Sequence, residues 1–308
     1  MKIPGLVVPP LTPFSADLTV DFDTLRSEID YIVEDCGATM VSAAGVETTE
    51  YHYLSYEQRR ELIRRTVEFV DGRVPVVVGI SHANVNTAIE LARLSEELGA
   101  DAVQVLAPLR PFGGPTTLDE LLAYYGAIGE ATKLPIMLYL NPGPGMEVNP
   151  AWTLALAKLP QVAYVKESSR DLARVSRLIV EIDLAGHARY FTTMQMLLAS
   201  IQLGGSGATM PPPAAYIANA IIDAFKAGDH LRAAELQRQF AVWPARWMGY
   251  GLAPALKAAM AIVGLPLGDP YPPFKPVAGE DLAAMEAYLR TTYLFGDEHQ
   301  RVMRRRAA

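Results

Sequence analysis

Short apolar runs rich in β-branched residues alternate along this chain with longer runs in which apolar residues recur every three or four positions. The first pattern is typical of buried strands and the second of amphipathic helices. The alternation repeats about eight times, and after residue 228 only helical patterns continue. The predicted strands are 6–8, 40–43, 75–79, 102–106, 135–139, 162–166, 190–192 and 207–209. The predicted helices are 22–33, 56–70, 85–98, 118–132, 150–159, 172–182, 195–203 and 214–226, followed by 230–240, 252–263 and 282–294.

Strands that alternate with single helices indicate a parallel sheet with right-handed crossovers. Eight such units in roughly 225 residues match the size of a (β/α)8 TIM barrel. A doubly wound sheet is the alternative, but it usually has a glycine-rich turn after the first strand, where this chain has the proline-rich run 9–14. We therefore predict an α/β protein with a (β/α)8 catalytic barrel over 1–228. A C-terminal helical region over 229–308 is expected to pack on that barrel.

Composition and charge exclude several classes of partner. The net charge of −7 and the pI near 5.3 leave no broad basic face for nucleic acid or an acidic membrane. The basic cluster at 301–306 is interpreted as a frayed, solvated helix end. A single cysteine allows no internal disulfide, and the five scattered histidines show no metal-ligand spacing, so we predict no metal and no cofactor. Neither a leader sequence nor a run of membrane-spanning length is recognised, which predicts a soluble, cytoplasmic protein.

Lys166 ends the predicted sixth strand and is a candidate nucleophile. In a parallel barrel the functional residues gather where the strands end. Burial disfavours the charged form of an amine, and a neutral amine can attack a carbonyl to form a Schiff base. The alternative is that Lys166 caps the strand and reaches water, which taken alone is the simpler interpretation.

Two further positions follow strand ends. Tyr139 closes the fifth strand, and since neighbouring strands lie about 4.8 Å apart, its hydroxyl could share a substrate with Lys166. A phenol held by another donor can relay protons. The polar segment 45–50 follows the second strand, and its hydroxyls and turn amides could hold a carboxylate. The alternatives are a strand-end aromatic with its hydroxyl in water and an ordinary polar loop.

Taken together, these positions give a chain that resembles the dihydrodipicolinate synthase / N-acetylneuraminate lyase superfamily of class I aldolases and dehydratases. The resemblance covers nearly the whole chain. Its motifs are Pro13-Phe14, the loop 45–50 with Leu54, Pro108, Tyr139 with Asn141-Pro142, the run 165–169 and the glycine-rich run 204–207.

The resemblance implies a role for several residues. Lys166 matches the Schiff-base lysine, Tyr139 the proton-relaying tyrosine, and Thr209 the strand-eight residue whose carbonyl faces the substrate. The loop 45–50 is one residue longer than the family pattern, so its hydroxyl pair falls on Val46-Glu47 or on Glu47-Thr48, depending on the end from which it is counted. Thr48 or Thr49 is expected to hold the substrate carboxylate.

Two departures bear on the substrate. Lysine-pathway synthases that resemble this chain carry an arginine five residues after the relay tyrosine, where this chain has Pro144. They also carry a tyrosine two residues after the strand-four proline, where this chain has Arg110. Losing a cation opposite a carboxylate weakens binding, which disfavours a dihydrodipicolinate synthase.

The leading prediction is therefore a lyase that forms a Schiff base with a 2-keto acid, either a pyruvate-type aldolase or a keto-sugar-acid dehydratase. Glu47 and Arg110 are expected either to contact the distal part of the substrate or to pair with each other. The alternatives are 4-hydroxy-tetrahydrodipicolinate synthase and a catalytically silent barrel with a binding role. By resemblance, a homo-oligomer, either dimer or tetramer, is expected.

Overall fold

The computed structural model describes residues 5–45, 47–48, 50–110, 116–141 and 145–306. Within these ranges eight parallel strands close into a barrel in the order β1 to β8, so the predicted TIM barrel is confirmed. The strands are β1 Gly5–Val8, β2 Met40–Ala43, β3 Val76–Gly79, β4 Ala102–Leu106, β5 Ile136–Leu140, β6 Val162–Glu167, β7 Arg189–Thr192 and β8 Gly207–Thr209.

Helices follow the strands and cover the outside of the barrel. The helices of the βα units are α1 Phe22–Asp30, α2 Tyr56–Val70, α3 Val85–Glu97, α4 Leu118–Ala131, α5 Pro150–Ala157, α6 Leu172–Leu178, α7 Leu197–Gln202 and α8 Pro212–Lys226. The C-terminal helices are α9 His230–Gln237, α10 Leu252–Val263, α11 Gly279–Leu289 and α12 Asp297–Arg306. Two of the predicted helices end early, because the chain widens into π-helical turns at Tyr31–Asp35 and Ile179–Leu184. No helix in the described ranges is both long and apolar enough to cross a membrane.

Closure of the barrel between its first and last strands depends on a glycine. Gly207 has φ of +136°, and a Cβ atom there would lie 1.9 Å from the carbonyl oxygen of Gly5. Only glycine combines that backbone conformation with so close an approach. Gly207, the last residue of the glycine-rich run 204–207, therefore serves packing at the β1–β8 junction.

Two apolar layers hold the fold together. A small cluster fills the barrel interior and consists of Val7, Met40, Val77, Ala102, Met137 and Phe191. The larger cluster lies between the sheet and the helices, and it continues without a break into the C-terminal region through Trp243, Trp247, Leu256, Met260 and Leu289. The C-terminal helices thus share the core of the barrel, while a domain boundary at 228 stays a prediction.

The interpretation of 301–306 as a frayed end is wrong for its last residue. Arg306 forms ion pairs with Glu34 and Asp35, and it donates to the carbonyl oxygen of Asp30 at 3.0 Å. These acidic residues lie at the end of α1 and in the π-helical turn after it. The basic cluster therefore ties α12 back to the barrel.

Candidate active site

A cavity of about 650 Å³ opens where the barrel strands end. Its inner wall comes from strand ends and the turns that follow them: Pro9, Glu47, Thr48, Tyr139, Asn141, Lys166, Ser168, Thr193 and Thr209. This is the face of a parallel barrel at which function is expected. The strand ends bring Lys166, Tyr139, Glu47, Thr48 and Thr209 together around one space.

Lys166 points into this cavity because side chains alternate along β6. Its side chain is only 3% exposed, and Nζ donates a hydrogen bond to Ser168 Oγ at 2.7 Å. The next residue, Glu167, faces outward, where it pairs with Arg174 of α6 and accepts a hydrogen bond from the Tyr190 hydroxyl. The outward ion pair fixes the strand end and so the direction of Lys166.

Tyr139 lies directly beside Lys166, since the two residues are register partners in neighbouring strands. Lys166 Nζ lies 3.9 Å from the centroid of the Tyr139 ring, a distance at which the ring face attracts a cation. The hydroxyl of Tyr139 accepts a hydrogen bond from Asn141 Nδ2 at 2.9 Å. The ring is 1% exposed, so this amide sets the position of the hydroxyl in a nearly dry environment.

The loop after β2 contributes Glu47 and Thr48 to the same wall. Glu47 Oε1 accepts a hydrogen bond from Gln104 Nε2 at 2.8 Å, and Thr48 is buried and hydrogen-bonded to Glu50. Thr49, which was also predicted to hold the carboxylate, lies outside the described residues. Glu47 and Thr48 occupy the pair of positions reached by counting back from Leu54.

Below this loop lies a buried ion pair that sequence reasoning missed. Glu50 accepts from the backbone N–H of Thr12 at 2.8 Å, and its other oxygen lies 3.3 Å from Lys257 Nζ of α10. Burial raises the pKa of Glu50, and the nearby Lys257 ammonium partly offsets this effect. Burial also raises the pKa of the neighbouring Glu28 carboxyl well above its usual range. The pair connects a C-terminal helix to the loop that carries Thr48.

The two remaining predicted residues are placed differently. Thr209 ends β8, is 4% exposed and lines the cavity. Arg110 is not among the described residues that line it, and its guanidinium pairs with Glu120 of α4. The hypothesis that Glu47 and Arg110 pair with each other is therefore not what the structure shows: Glu47 contacts Gln104, and Arg110 contacts Glu120. Pro144 lies outside the described residues.

The outer wall of the cavity was also missed. It is built by aromatic and apolar side chains from the loop before α2 and from the C-terminal region: Tyr53, Met248, Tyr250, Leu252, Tyr271 and Phe274. The rings of Tyr53 and Tyr271 stack at 5.0 Å and 7°, and Phe274 is 48% exposed. These residues are scattered in sequence, and no local pattern places them at the site.

A buried lysine beside a tyrosine at the strand ends of a parallel barrel is typical of a class I, Schiff-base lyase. Comparison with known proteins agrees with this class. Residues 2–292 match the sequence profile of the dihydrodipicolinate synthetase family, and the chain belongs to that family. Its members are metal-independent class I aldolase-type lyases.

Curated relatives and solved structures extend the match over nearly the whole chain. A 4-hydroxy-tetrahydrodipicolinate synthase of Moorella thermoacetica is 31% identical over 92% of this chain and 96% of its own length. The corresponding synthase 1 of Halalkalibacterium halodurans is 28% identical over 93% and 96%. A dihydrodipicolinate synthase of Bacillus anthracis (TM-score 0.85, 24% identity, covering 94% and 99%) and the N-acetylneuraminate lyase of Proteus mirabilis (0.82, 24%, covering 96% and 100%) share the fold.

Proposed function

We propose that this enzyme forms a Schiff base between Lys166 Nζ and the C2 carbonyl of a 2-keto acid, and that Tyr139 moves protons during the following step. The observation that carries this proposal is the buried Lys166 amine, which donates to Ser168 and lies 3.9 Å from the centre of the Tyr139 ring. Neither of these two contacts of Lys166 Nζ is an ion pair. The burial of this amine is therefore better explained by chemistry at the site than by a structural role.

The chemistry follows from these positions. Nζ adds to C2, the carbonyl oxygen leaves as water, and the resulting protonated imine draws electrons from the neighbouring bonds. Tyr139, whose hydroxyl is held by Asn141, is placed to transfer a proton at C3 or at the departing group. Thr48, together with Thr49, is proposed to hold the carboxylate, and Thr209 to line the opposite side.

Borohydride trapping tests the first step. Incubation with pyruvate or another 2-keto acid and borohydride is expected to add the mass of the reduced adduct to the peptide that contains Lys166. Lys166→Met should give no adduct, whereas Lys226→Met, which changes an exposed lysine on α8, should label normally. Turnover of a 2-keto acid without any adduct at Lys166 would contradict the proposal.

A second candidate activity is 4-hydroxy-tetrahydrodipicolinate synthase, since curated relatives about 30% identical carry that name. The departures at Arg110 and Pro144 argue against it, and the Arg110 side chain pairs with Glu120. Coupling pyruvate with aspartate semialdehyde distinguishes the two activities, because only the synthase gives the cyclic product. A silent barrel would bind 2-keto acids in a thermal-shift measurement without any trapped adduct.

The proposed partner is a small 2-keto acid, and a homodimer or homotetramer in the cytoplasm is proposed for the chain as a whole. The support is resemblance to the family, together with the apolar residues Leu109 and Leu231 that remain exposed on the surface. Sedimentation of the purified protein measures the oligomeric state directly.

A further inference from the structure

One polar side chain crosses the apolar interior of the barrel. Gln104 of β4 is completely buried, and its amide nitrogen lies 3.6 Å from the sulfur of Met137. The amide oxygen accepts a hydrogen bond from Ser42 Oγ of β2 at 3.4 Å, while the amide nitrogen donates to Glu47 Oε1 at 2.8 Å. Ser42 and Gln104 thus orient the Glu47 carboxylate from beneath.

This arrangement gives the two oxygens of Glu47 different surroundings. Oε1 receives the amide N–H of Gln104, so it acts as a hydrogen-bond acceptor. Oε2 is also buried, yet no described residue donates a hydrogen bond to it. A buried polar atom without a partner is costly, and such atoms often mark the place of a ligand or an ordered water. Because Glu47 lines the cavity with Lys166 and Tyr139, this free oxygen is available to a substrate.

The charged and titratable groups around Glu47 restrict what that substrate group can be. Lys166 and Tyr139 share the inner cavity wall with it, Glu50 follows in the same loop, and Tyr51 packs against Tyr139. Burial raises the pKa of Tyr51, the Arg59 guanidinium that lies 4.0 Å from the centre of its ring lowers it, and Tyr139 and Glu47 add smaller rises. A second carboxylate would be repelled by Glu47, whereas a hydroxyl can donate to Oε2.

We propose that Glu47 Oε2 accepts a hydrogen bond from, and takes the proton of, a hydroxyl at C4 of the substrate, and that Gln104 is the positioning residue for this carboxylate. The substrate class is then a 4-hydroxy-2-keto acid. This proposal rests on the proposed Schiff base at Lys166, because the imine at C2 weakens the C3–C4 bond.

The step balances with the groups present. The proton of the C4 hydroxyl moves to Glu47, the C3–C4 bond breaks, and its electron pair forms the enamine as the imine nitrogen becomes neutral. The C4 fragment leaves as an aldehyde. Tyr139 gives its phenolic proton to C3 of the enamine and regains a proton from Glu47, which consumes the proton gained from C4. Water then hydrolyses the imine to release the shorter 2-keto acid.

The experiment compares Glu47→Gln, Gln104→Glu and an exposed control on α2, Glu57→Gln, whose carboxylate forms only a surface pair with Arg60. Cleavage of 4-hydroxy-2-oxopentanoate is followed over a range of pH, and pyruvate trapping by borohydride is measured in parallel. Both test variants are nearly isosteric, and circular dichroism checks that they fold.

We expect Glu47→Gln to lower kcat/KM for cleavage by about 100-fold or more and to remove the acidic limb of its pH profile. In Gln104→Glu two carboxylates face each other and must share a proton, so the acidic limb should move to higher pH. Pyruvate trapping at Lys166 of the wild type reports Schiff-base formation independently of cleavage, and Glu57→Gln should match the wild type in both measurements.

Three results would overturn the inference: cleavage by Glu47→Gln within about fivefold of wild type, an unmoved acidic limb in Gln104→Glu, or no wild-type cleavage of 4-hydroxy-2-keto acids although pyruvate is trapped. If the wild type traps no 2-keto acid at all, the Schiff-base function itself fails. The trapping measurement therefore separates the two failures.

Discussion

The inner and outer halves of the cavity are built on different principles. In the inner half several polar side chains hold one another in place, as Ser168 holds Lys166, Asn141 holds Tyr139 and Gln104 holds one oxygen of Glu47. The outer half is a wall of stacked or partly exposed aromatic rings, with few hydrogen bonds between them. The inner half is built on strand ends and the turns that follow them, whereas the outer half comes from the segment before α2 and from the C-terminal region.

This difference assigns separate tasks to the two halves. Hydrogen-bonded side chains on rigid strands hold the geometry that bond breaking needs. Loops vary more freely and adapt a common scaffold to different substrates. The comparison therefore predicts that changes in the inner half lower kcat, and that changes in the outer half act on substrate binding.

The largest effect is expected from Tyr139→Phe. Loss of the hydroxyl removes the proposed proton carrier while the ring and its contact with Lys166 remain, so kcat should fall by about 100- to 10,000-fold. Steady-state kinetics on a cleaved 2-keto acid measures the change. Tyr124→Phe is the matched control, since that hydroxyl only donates to the carbonyl of His82 and does not line the cavity. A kcat for Tyr139→Phe within tenfold of wild type would remove the proton-relay role.

The next largest effect is expected on stability, at the ion pair between Glu50 and Lys257 that connects α10 to the loop of the inner half. Lys257→Met removes the ammonium group that faces the fully buried Glu50, and breaking a buried pair costs about 3–5 kcal/mol of unfolding free energy. Urea unfolding measures this loss. Lys226→Met, which breaks an exposed pair with Asp223, should cost at most about 1 kcal/mol.

A double variant sharpens this test. Lys257→Met/Glu50→Gln removes both charges of the pair, so the loss should be clearly smaller than the sum of the two single losses. Additive losses, or equal losses for Lys257→Met and Lys226→Met, would show that the buried pair does not stabilise the loop that carries Thr48.

The sequence predicted the inner half of the cavity better than the outer half. The eight strands were predicted because a short β-branched run is a local signal, and Tyr139 and Lys166 followed because strand ends converge in a barrel. The contact between Glu47 and Gln104 was not predicted, since it depends on which side of β4 faces inward. The pairing of Glu50 with Lys257 joins distant parts of the chain, and no spacing rule indicates it.

The residues of the outer wall could not be predicted either, because they too come together from distant parts of the chain. Tyr53, Tyr271 and Phe274 lie in loops without periodicity, and they meet only after the C-terminal helices have packed on the barrel. Arg110 was singled out by comparison with the family, not by a local pattern. Its departure from the family pattern suggested either a substrate contact or a pair with Glu47; the structure shows a pair with the nearby Glu120, and the substrate contact stays a prediction.

The smallest effect, and the most direct test of the comparison, is expected from Phe274→Ala. This ring is already 48% exposed, so its removal should change stability little, but it takes away apolar surface that faces the cavity. A loss of about 1 kcal/mol of contact with the distal part of a substrate raises KM by about fivefold. We expect kcat to stay unchanged. Pyruvate trapping should also stay unchanged, because a three-carbon acid stays near Lys166. These results would show that the outer half contributes to substrate binding and not to bond breaking. Val180→Ala, an exposed apolar change in the π-helical turn after α6 and away from the cavity, should alter neither constant. If Phe274→Ala instead lowered kcat as strongly as Tyr139→Phe does, both halves would take part in catalysis. The assignment of bond breaking to the inner half and of substrate binding to the outer half would then be wrong.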